Sequence, residues 1–213
     1  MQGSGVAERQ VAGAVLAGGP SRRMGRDKAT LPLGGAALGH LALDALAAVA
    51  DPVALVAPVG HPANALLARS APAGSSSRLV AVADPGEGPL AALAAALRAL
   101  PAEYLVVAAG DHPGLRVELL RHLVDGRAAA PALACRRDGG VEPLVAVYRR
   151  DAALAAAEAR LAGPDRSLRG LLAALGARIL EEAEWRRFDP DGRSFVDLDD
   201  PAAVTAWRAR ASG

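Results

Sequence analysis

A chain of 213 residues that is 52% hydrophobic but only 3% aromatic is long enough for one domain of ordinary size, with a core of Ala, Leu and Val. Its formal net charge of +1, from 24 basic and 23 acidic side chains, excludes a domain-wide basic field. A general nucleic-acid or membrane-surface role goes with it. The single cysteine, Cys135, excludes an internal disulfide and a cysteine-based zinc cluster. It sits in the apolar run Pro131-Ala-Leu-Ala-Cys135 and reads as a buried small hydrophobe. Residues 1–10 are polar with no apolar signal core, so they read as a flexible leader before a single domain at 11–213, and export is not expected. No uninterrupted apolar run reaches the length of about 18 residues that a membrane span needs, so the expected compartment is the cytoplasm.

In chain order, short β-like runs alternate with helical patterns, the signature of a parallel sheet. Residues 11–16 form a first apolar strand that enters a glycine-rich loop. Leucines at 38, 41, 43 and 46 predict an amphipathic helix over 38–50. A second strand follows at 53–57, a short helix near 63–70, and a Pro/Gly/Ser loop over 71–77. The third strand, 79–83, ends at Asp84 and leads to a helix over 90–100. The fourth, 104–109, ends at Gly110-Asp111-His112-Pro113. The second half is less regular: helices at 118–124, 151–161 and 167–175, and strands at 132–135, 144–148, 178–182 and 194–198. A last helix begins at Asp199 or Asp200, where an acidic cap precedes Pro201.

In open α/β sheets, ligands bind outside the carboxyl ends of the strands. Three such ends carry distinctive residues here. The first is the segment Leu16-Ala-Gly-Gly-Pro-Ser-Arg-Arg-Met-Gly-Arg-Asp-Lys28. Gly18 and Gly19 let backbone amides approach anionic oxygens, and Arg22, Arg23, Arg26 and Lys28 add positive charge within seven residues. Of the 24 basic side chains, only Lys28 is a lysine. Where arginine serves everywhere else, a lone lysine points to a site that needs a compact, flexible charge instead of a planar fork. The spacing is neither a P-loop nor a dinucleotide fingerprint.

Asp84 and Asp111 each follow an apolar strand. Aspartate before Gly or Pro also makes turns, so each residue alone is compatible with a local role. Together with the basic loop they are candidates for Mg²⁺, which takes one or two carboxylates, waters and substrate phosphates. On a strand, Asp197 and Asp199 would share a face, while Asp199 or Asp200 could equally cap the last helix. His40, His61, His112 and His122 show no metal-ligand spacing, and no G-x-S-x-G elbow appears. Arg166 and Arg169, three apart at a helix start, can share a face as an anion site or form a solvated basic surface.

The loop from Leu16 to Lys28 resembles the signature of the MobA-like nucleotidyltransferases, and most closely their molybdenum cofactor guanylyltransferases. Gly88-Pro89-Leu90-Ala-Ala-Leu93, Gly110-Asp111-His-Pro113, Glu142-Pro143-Leu144, Arg166-Ser-Leu-Arg169 and the terminal Asp-Leu-Asp-x-Pro are similar to family segments in the same order. The resemblance implies a Rossmann-like three-layer sandwich with a mostly parallel central sheet, of the nucleotide-diphospho-sugar transferase type. It implies transfer of GMP from GTP to the terminal phosphate of molybdopterin or the molybdenum cofactor, with Mg²⁺, and hand-off to insertion or carrier proteins. By that resemblance Leu16, Ala17, Gly18 and Asp84 contact the nucleotide, Lys28 its phosphates, and Asp111 the metal; from their own positions Gly19 joins the nucleotide contacts, Arg23 the phosphate contacts beside Lys28, and Asp199 is a second candidate metal ligand. Asp197 and Asp199 stand where some relatives carry Asn, and no clear guanine reader appears near Ala57-Pro58. The alternatives are a cytidylyl or sugar-phosphate transferase, or a silent nucleotide-binding module.

Overall fold

In the computed structural model, residues 11–18, 27–68, 77–138 and 140–211 are described. Residues 1–10, expected as a leader, and the part of the glycine-rich loop carrying Gly19, Arg22, Arg23 and Arg26 lie outside them. The chain runs β1 (Val11–Leu16), a hairpin of β2 (Pro32–Leu33) and β3 (Ala36–Ala37), α1 (Leu38–Ala47), β4 (Val53–Ala57) and a 3-10 helix (Pro62–Ala68). It continues through β5 (Leu79–Ala83), α2 (Pro89–Ala99), β6 (Tyr104–Ala109) and α3 (Val117–Asp125). Then come β7 (Ala132–Arg137), β8 (Gly140–Arg149), α4 (Arg150–Leu161), α5 (Leu168–Ala174), β9 (Arg178–Leu180), α6 (Glu182–Trp185) and α7 (Pro201–Ala211).

Seven strands form one sheet in the order β5-β4-β1-β6-β8-β7-β9. β5, β4, β1 and β6 are mutually parallel, β8 is antiparallel to β6 and β7, and β9 is parallel to β7. The chain builds outward from β1 to β4 and β5, then returns to lay β6 on the other side of β1. That reversal opens a crevice between the carboxyl ends of β1 and β6, where such sheets bind ligands.

The period-2 alternation of the strands sorts their side chains onto two faces. Val11, Val15, Val53, Leu55, Val106 and Ala108 meet α1 and α3 on one face. Ala12, Ala14, Ala54, Val56, Leu105 and Val107 meet α2, α4 and α5 on the other. The second face is built from smaller side chains and receives the alanine-rich α2, whose Ala92, Ala94 and Ala96 are buried beside Leu90, Leu93 and Leu97. Small residues on both partners let helix and sheet approach closely at native packing density.

A third, smaller core lies outside the sheet. Leu33 of the hairpin packs with Leu31, Leu38, Leu198 and Val204. The hairpin turns at Gly34-Gly35, with φ of 59° and 90°, a two-residue connection that only residues tolerant of left-handed backbone adopt. Nothing in the alternation of such short strands announces this element.

Several expected elements differ: the helix expected over 38–50 stops at Ala47, and the strands expected over 132–135 and 144–148 extend over Ala132–Arg137 and Gly140–Arg149. The strand expected over 194–198 is absent: a 3-10 turn, Arg193–Phe195, takes its place. The buried Asp189 carboxylate accepts the amides of Arg193 and Ser194 at 3.0 and 2.8 Å and folds the backbone inward. The strand expected over 178–182 stops at Leu180, because Glu181 and Glu184 form a reciprocal capping box that starts α6. The helix near 63–70 is a 3-10 helix. Among the described residues no helix is long and apolar enough to cross a membrane.

Candidate active site

The end of β1 is pinned from both sides. Leu16 accepts the Gly110 amide at 2.9 Å, and the Ala17 amide donates to Val56 at 2.8 Å. The next residue, Gly18, leaves no room for a side chain: a Cβ there would fall 1.9 Å from Asp84 Oδ2 and 3.1 Å from Pro58 Cδ. Glycine is thus what lets the Asp84 carboxylate lie across the start of the loop. Asp84 also accepts the Gly86 amide at 2.8 Å, so its turn role and its place at the site coexist. These residues, with Lys28 and Asp111, line a cavity of about 300 Å³ at the switch point. Gly88 and Pro89 bring the N-terminal end of α2 to the same cavity, adding partial positive charge. Ala29, Ala92 and Leu144 complete the lining. Their residue types carry no chemical signal: the sequence places Ala92 and Leu144 in family-like segments but assigns none of the three to the site.

Lys28 reaches across the crevice. Its Nζ lies 3.2 Å from Asp111 Oδ2 and donates a hydrogen bond to Asp199 Oδ1. The side chains are 20%, 22% and 46% exposed for Lys28, Asp111 and Asp199. Partial burial lowers the lysine pKa, but the hydrogen bond it donates to Asp199, with the charge of Asp111 and the hydrogen bond donated to it, outweighs that, and the net shift is upward. The ammonium therefore stays charged throughout the neutral range.

The third core explains how Asp199 arrives. Leu198 is fully buried there, and its amide donates to the Asp111 carbonyl at 3.2 Å. Arg208 of α7 also bonds the Pro32 carbonyl of the hairpin at 2.9 Å. Asp200, not Asp199, caps α7 by accepting the Ala203 amide at 2.8 Å, which leaves Asp199 to the lysine. The segment is not a strand, and the two acids differ in what they meet: Asp197 is exposed, whereas Asp199 bonds Lys28.

The sequence candidates Leu16, Ala17, Gly18, Lys28, Asp84 and Asp111 thus meet at one cavity, with Asp199 joined through Lys28. Gly19 and Arg23 fall outside the described residues. Arg166 and Arg169 separate. Arg166 pairs with Glu87 at 3.5 Å, in the loop leading to α2. Arg169 donates to the Val141 carbonyl at 3.1 Å beside a second depression lined by Arg137, Asp138 and Glu142.

Among the described residues no group of three or more His, Cys, Asp or Glu side chains converges on one point. Two carboxylates around one ammonium leave one negative charge over, a donor set suited to a hard divalent cation that completes its shell with water and substrate oxygens.

A crevice at the switch point of a doubly wound sheet, entered by a glycine at van der Waals limits and faced by one lysine and two acids, defines a nucleotide-handling α/β transferase. The comparisons narrow the class. The MobA-like NTP transferase domain matches residues 13–181, and the chain belongs to that family of nucleotidyltransferases. It is 31% identical over 93% of its length to the molybdenum cofactor guanylyltransferase of Syntrophotalea carbinolica, covering 91% of that protein. It is 38% identical over 83% of its length to a probable molybdenum cofactor guanylyltransferase of Mycobacterium avium, covering 88% of it. Among solved structures, molybdopterin-guanine dinucleotide biosynthesis protein A of Archaeoglobus fulgidus superposes with a TM-score of 0.76 at 27% identity, over 94% of this chain and 98% of that one.

Proposed function

We propose that this chain transfers GMP from GTP to the terminal phosphate of molybdopterin, or of its molybdenum-bound form, and releases pyrophosphate. The observation that carries the reading is Lys28 held between Asp111 and Asp199 at the mouth of the switch-point cavity. The guanylyltransferase names of the two relatives support the choice of nucleotide and acceptor.

The chemistry asks little of acid–base groups. A phosphomonoester has a second pKa of about 6 and is largely a dianion near neutral pH. One of its oxygens attacks the α-phosphorus of GTP, forming the new P–O bond. The bond from the α-phosphorus to the α,β-bridging oxygen breaks, and pyrophosphate leaves with the electron pair. No proton has to be removed, so the protein's task is position and charge compensation. Lys28, kept protonated, offers three donors to the phosphate oxygens that would replace its carboxylate partners. Arg23 is assigned to the same phosphates, and Leu16, Ala17, Gly18 and Gly19 to the nucleotide along the loop. Asp84 orders the loop against the nucleotide.

Asp111 and Asp199 would hold Mg²⁺, which when bound neutralises charge on the phosphate oxygens. A relative from Mycobacterium tuberculosis, 27% identical with a TM-score of 0.60 over 81% of this chain and 87% of that one, was solved as a complex with manganese. We assign residues 11–213 to one catalytic domain working in the cytoplasm and passing its product to insertion or carrier proteins.

A nucleotide panel tests the reading. With Mg²⁺, calorimetry should give GTP at least about tenfold tighter binding than CTP, ATP or UTP, a difference of about 1.4 kcal/mol that one or two base-edge hydrogen bonds supply. Equal affinities, or a preference for CTP, would move the chain to a different substrate within its family.

A further inference from the structure

Both ends of the glycine-rich loop rest on one short turn, the turn that leaves β4. At the near end, a Cβ on Gly18 would be 3.1 Å from Pro58 Cδ. At the far end, Asp27 Oδ2 lies 3.1 Å from His61 Nδ1. The turn between these contacts is internally tied. The His61 amide donates to the Pro58 carbonyl at 3.0 Å, Asn64 Nδ2 donates to the same carbonyl at 2.9 Å, and the Asn64 amide donates to the His61 carbonyl at 2.9 Å. The Asp27 side chain is only 8% exposed, against 21% for His61. Its other oxygen accepts the Thr30 amide at 2.9 Å, and Thr30 Oγ1 donates to the Asp27 carbonyl at 3.2 Å. One carboxylate therefore closes the turn that carries Lys28 and ties it to the β4 loop.

Two contacts compete for His61 Nδ1. The Ala63 amide approaches it at 3.3 Å, which requires a bare nitrogen, while Asp27 at 3.1 Å requires a protonated one. A bare nitrogen would set two lone pairs against each other beside a nearly buried carboxylate, whose desolvation calls for a donor. The Ala63 amide is the hydrogen-bond donor to the bare nitrogen, and the 3.1 Å Asp27 contact becomes an ion pair when Nδ1 carries a proton.

Neither Asp27 nor His61 lines the cavity, so neither touches the reacting atoms. Lys28 is bonded directly to Asp27, however, and must span the crevice to Asp111 and Asp199. A shift of about 1 Å in such a group costs on the order of 10²-fold in rate.

We propose that Asp27 and His61 form a positioning clamp that fixes the closing end of the glycine-rich loop and so aims Lys28 at the β- and γ-phosphates of the nucleotide. The clamp rests on the nucleotidyl-transfer reading of the site.

The test compares the full chain with Asp27→Asn, His61→Ala and the double variant. Asp27→Asn keeps the oxygen that accepts the Thr30 amide and weakens only the tie to His61. Calorimetry with GTP and with GMP, which lacks the outer phosphates, is read beside thermal unfolding. Each single variant should weaken GTP binding about tenfold with GMP affinity unchanged, and the double variant should lose about tenfold, not a hundredfold, because the two residues act as one unit. Equal losses for GTP and GMP, multiplying losses in the double variant, or unchanged GTP affinity would each overturn the clamp. Should Asp27→Asn unfold, the partly exposed His61→Ala gives the same GTP-to-GMP comparison by itself. A wild-type chain that binds no nucleoside triphosphate would overturn the functional reading and the clamp with it; a wild-type chain that binds GTP beside variants that bind it equally well overturns the clamp alone.

Discussion

The parallel side of the sheet and its antiparallel side meet at β6 and contribute to the site in different ways. On the parallel side, β1, β5 and β6 all end at the same rim, so Gly18, Asp84 and Asp111 come together simply because each follows its strand. On the antiparallel side, β8 runs the other way and offers the rim its beginning, where Leu144 gives the cavity an apolar wall. The remaining carboxylate, Asp199, comes from neither set of strands. It is delivered by a segment anchored through Leu198 in a satellite core with the β2–β3 hairpin. Strand direction thus suffices to gather ligand-facing loops on one side, whereas the far wall needs dedicated packing.

If that division is right, the largest losses follow from the parallel rim. Lys28→Arg should lose most turnover although it keeps the charge, because a longer, bulky planar fork cannot take the place of a compact ammonium in a partly buried phosphate-binding crevice. Asp111→Asn should lower turnover by roughly 10² or more, the scale of one electrostatic stabiliser of the transition state. Excess Mg²⁺ or Mn²⁺ should restore part of that loss. Initial-rate assays across a metal titration measure both, and full activity with unchanged metal dependence would remove Asp111 from the metal. Asp84→Asn should be milder, since the amide oxygen can still accept the Gly86 amide.

The satellite core gives the next effect. Leu198→Ala should destabilise by about 2–5 kcal/mol, the usual range for a buried leucine, with chemical denaturation as the measure. Where the fold survives, turnover should fall toward that of Asp199→Ala, while Asp197→Ala stays near wild type. Equal effects of Asp197 and Asp199 would mean that the segment does not select between them.

Smaller effects probe the antiparallel side. Arg166→Ala with Arg169→Ala should raise the apparent KM for the pterin phosphate a few-fold and leave GTP affinity intact. As the two arginines face different partners, the single variants should differ, and the Arg166 variant, beside the Glu87 loop, should carry the larger share. The smallest effect is at Cys135. Burial, and then the negative charges of Glu142, Asp189 and Glu184, push its thiol up to about 12, so at pH 8 it is protonated as well as enclosed. A thiol reagent should modify it only on unfolding. Rapid labelling of the native chain would show that the β7 region opens locally.

The sequence by itself determined the parallel half of the sheet and which residues follow its strands. Short continuous apolar runs marked β1, β4, β5 and β6, and Gly18, Asp84 and Gly110-Asp111 beyond β1, β5 and β6 marked the rim. The lone lysine stood out because no other residue among 24 basic positions shared its type. These are local signals, legible because a strand and the loop after it are neighbours in the chain. Only the tertiary structure decided the rest. Asp199 joins Lys28 across 171 positions, and the choice of Asp200 over Asp199 as the cap of α7 depends on where Leu198 is buried. The expected strand at 194–198 became a 3-10 turn because the buried Asp189 claimed its amides. Arg166 and Arg169, adjacent by helical spacing, were parted by Glu87 and Val141. A hydrogen-bond partner or a packed neighbour overrode the local pattern each time, near in the chain for Asp189 and far for Lys28, Glu87 and Val141, because desolvated polar groups and apolar side chains take the partners that folding brings to them.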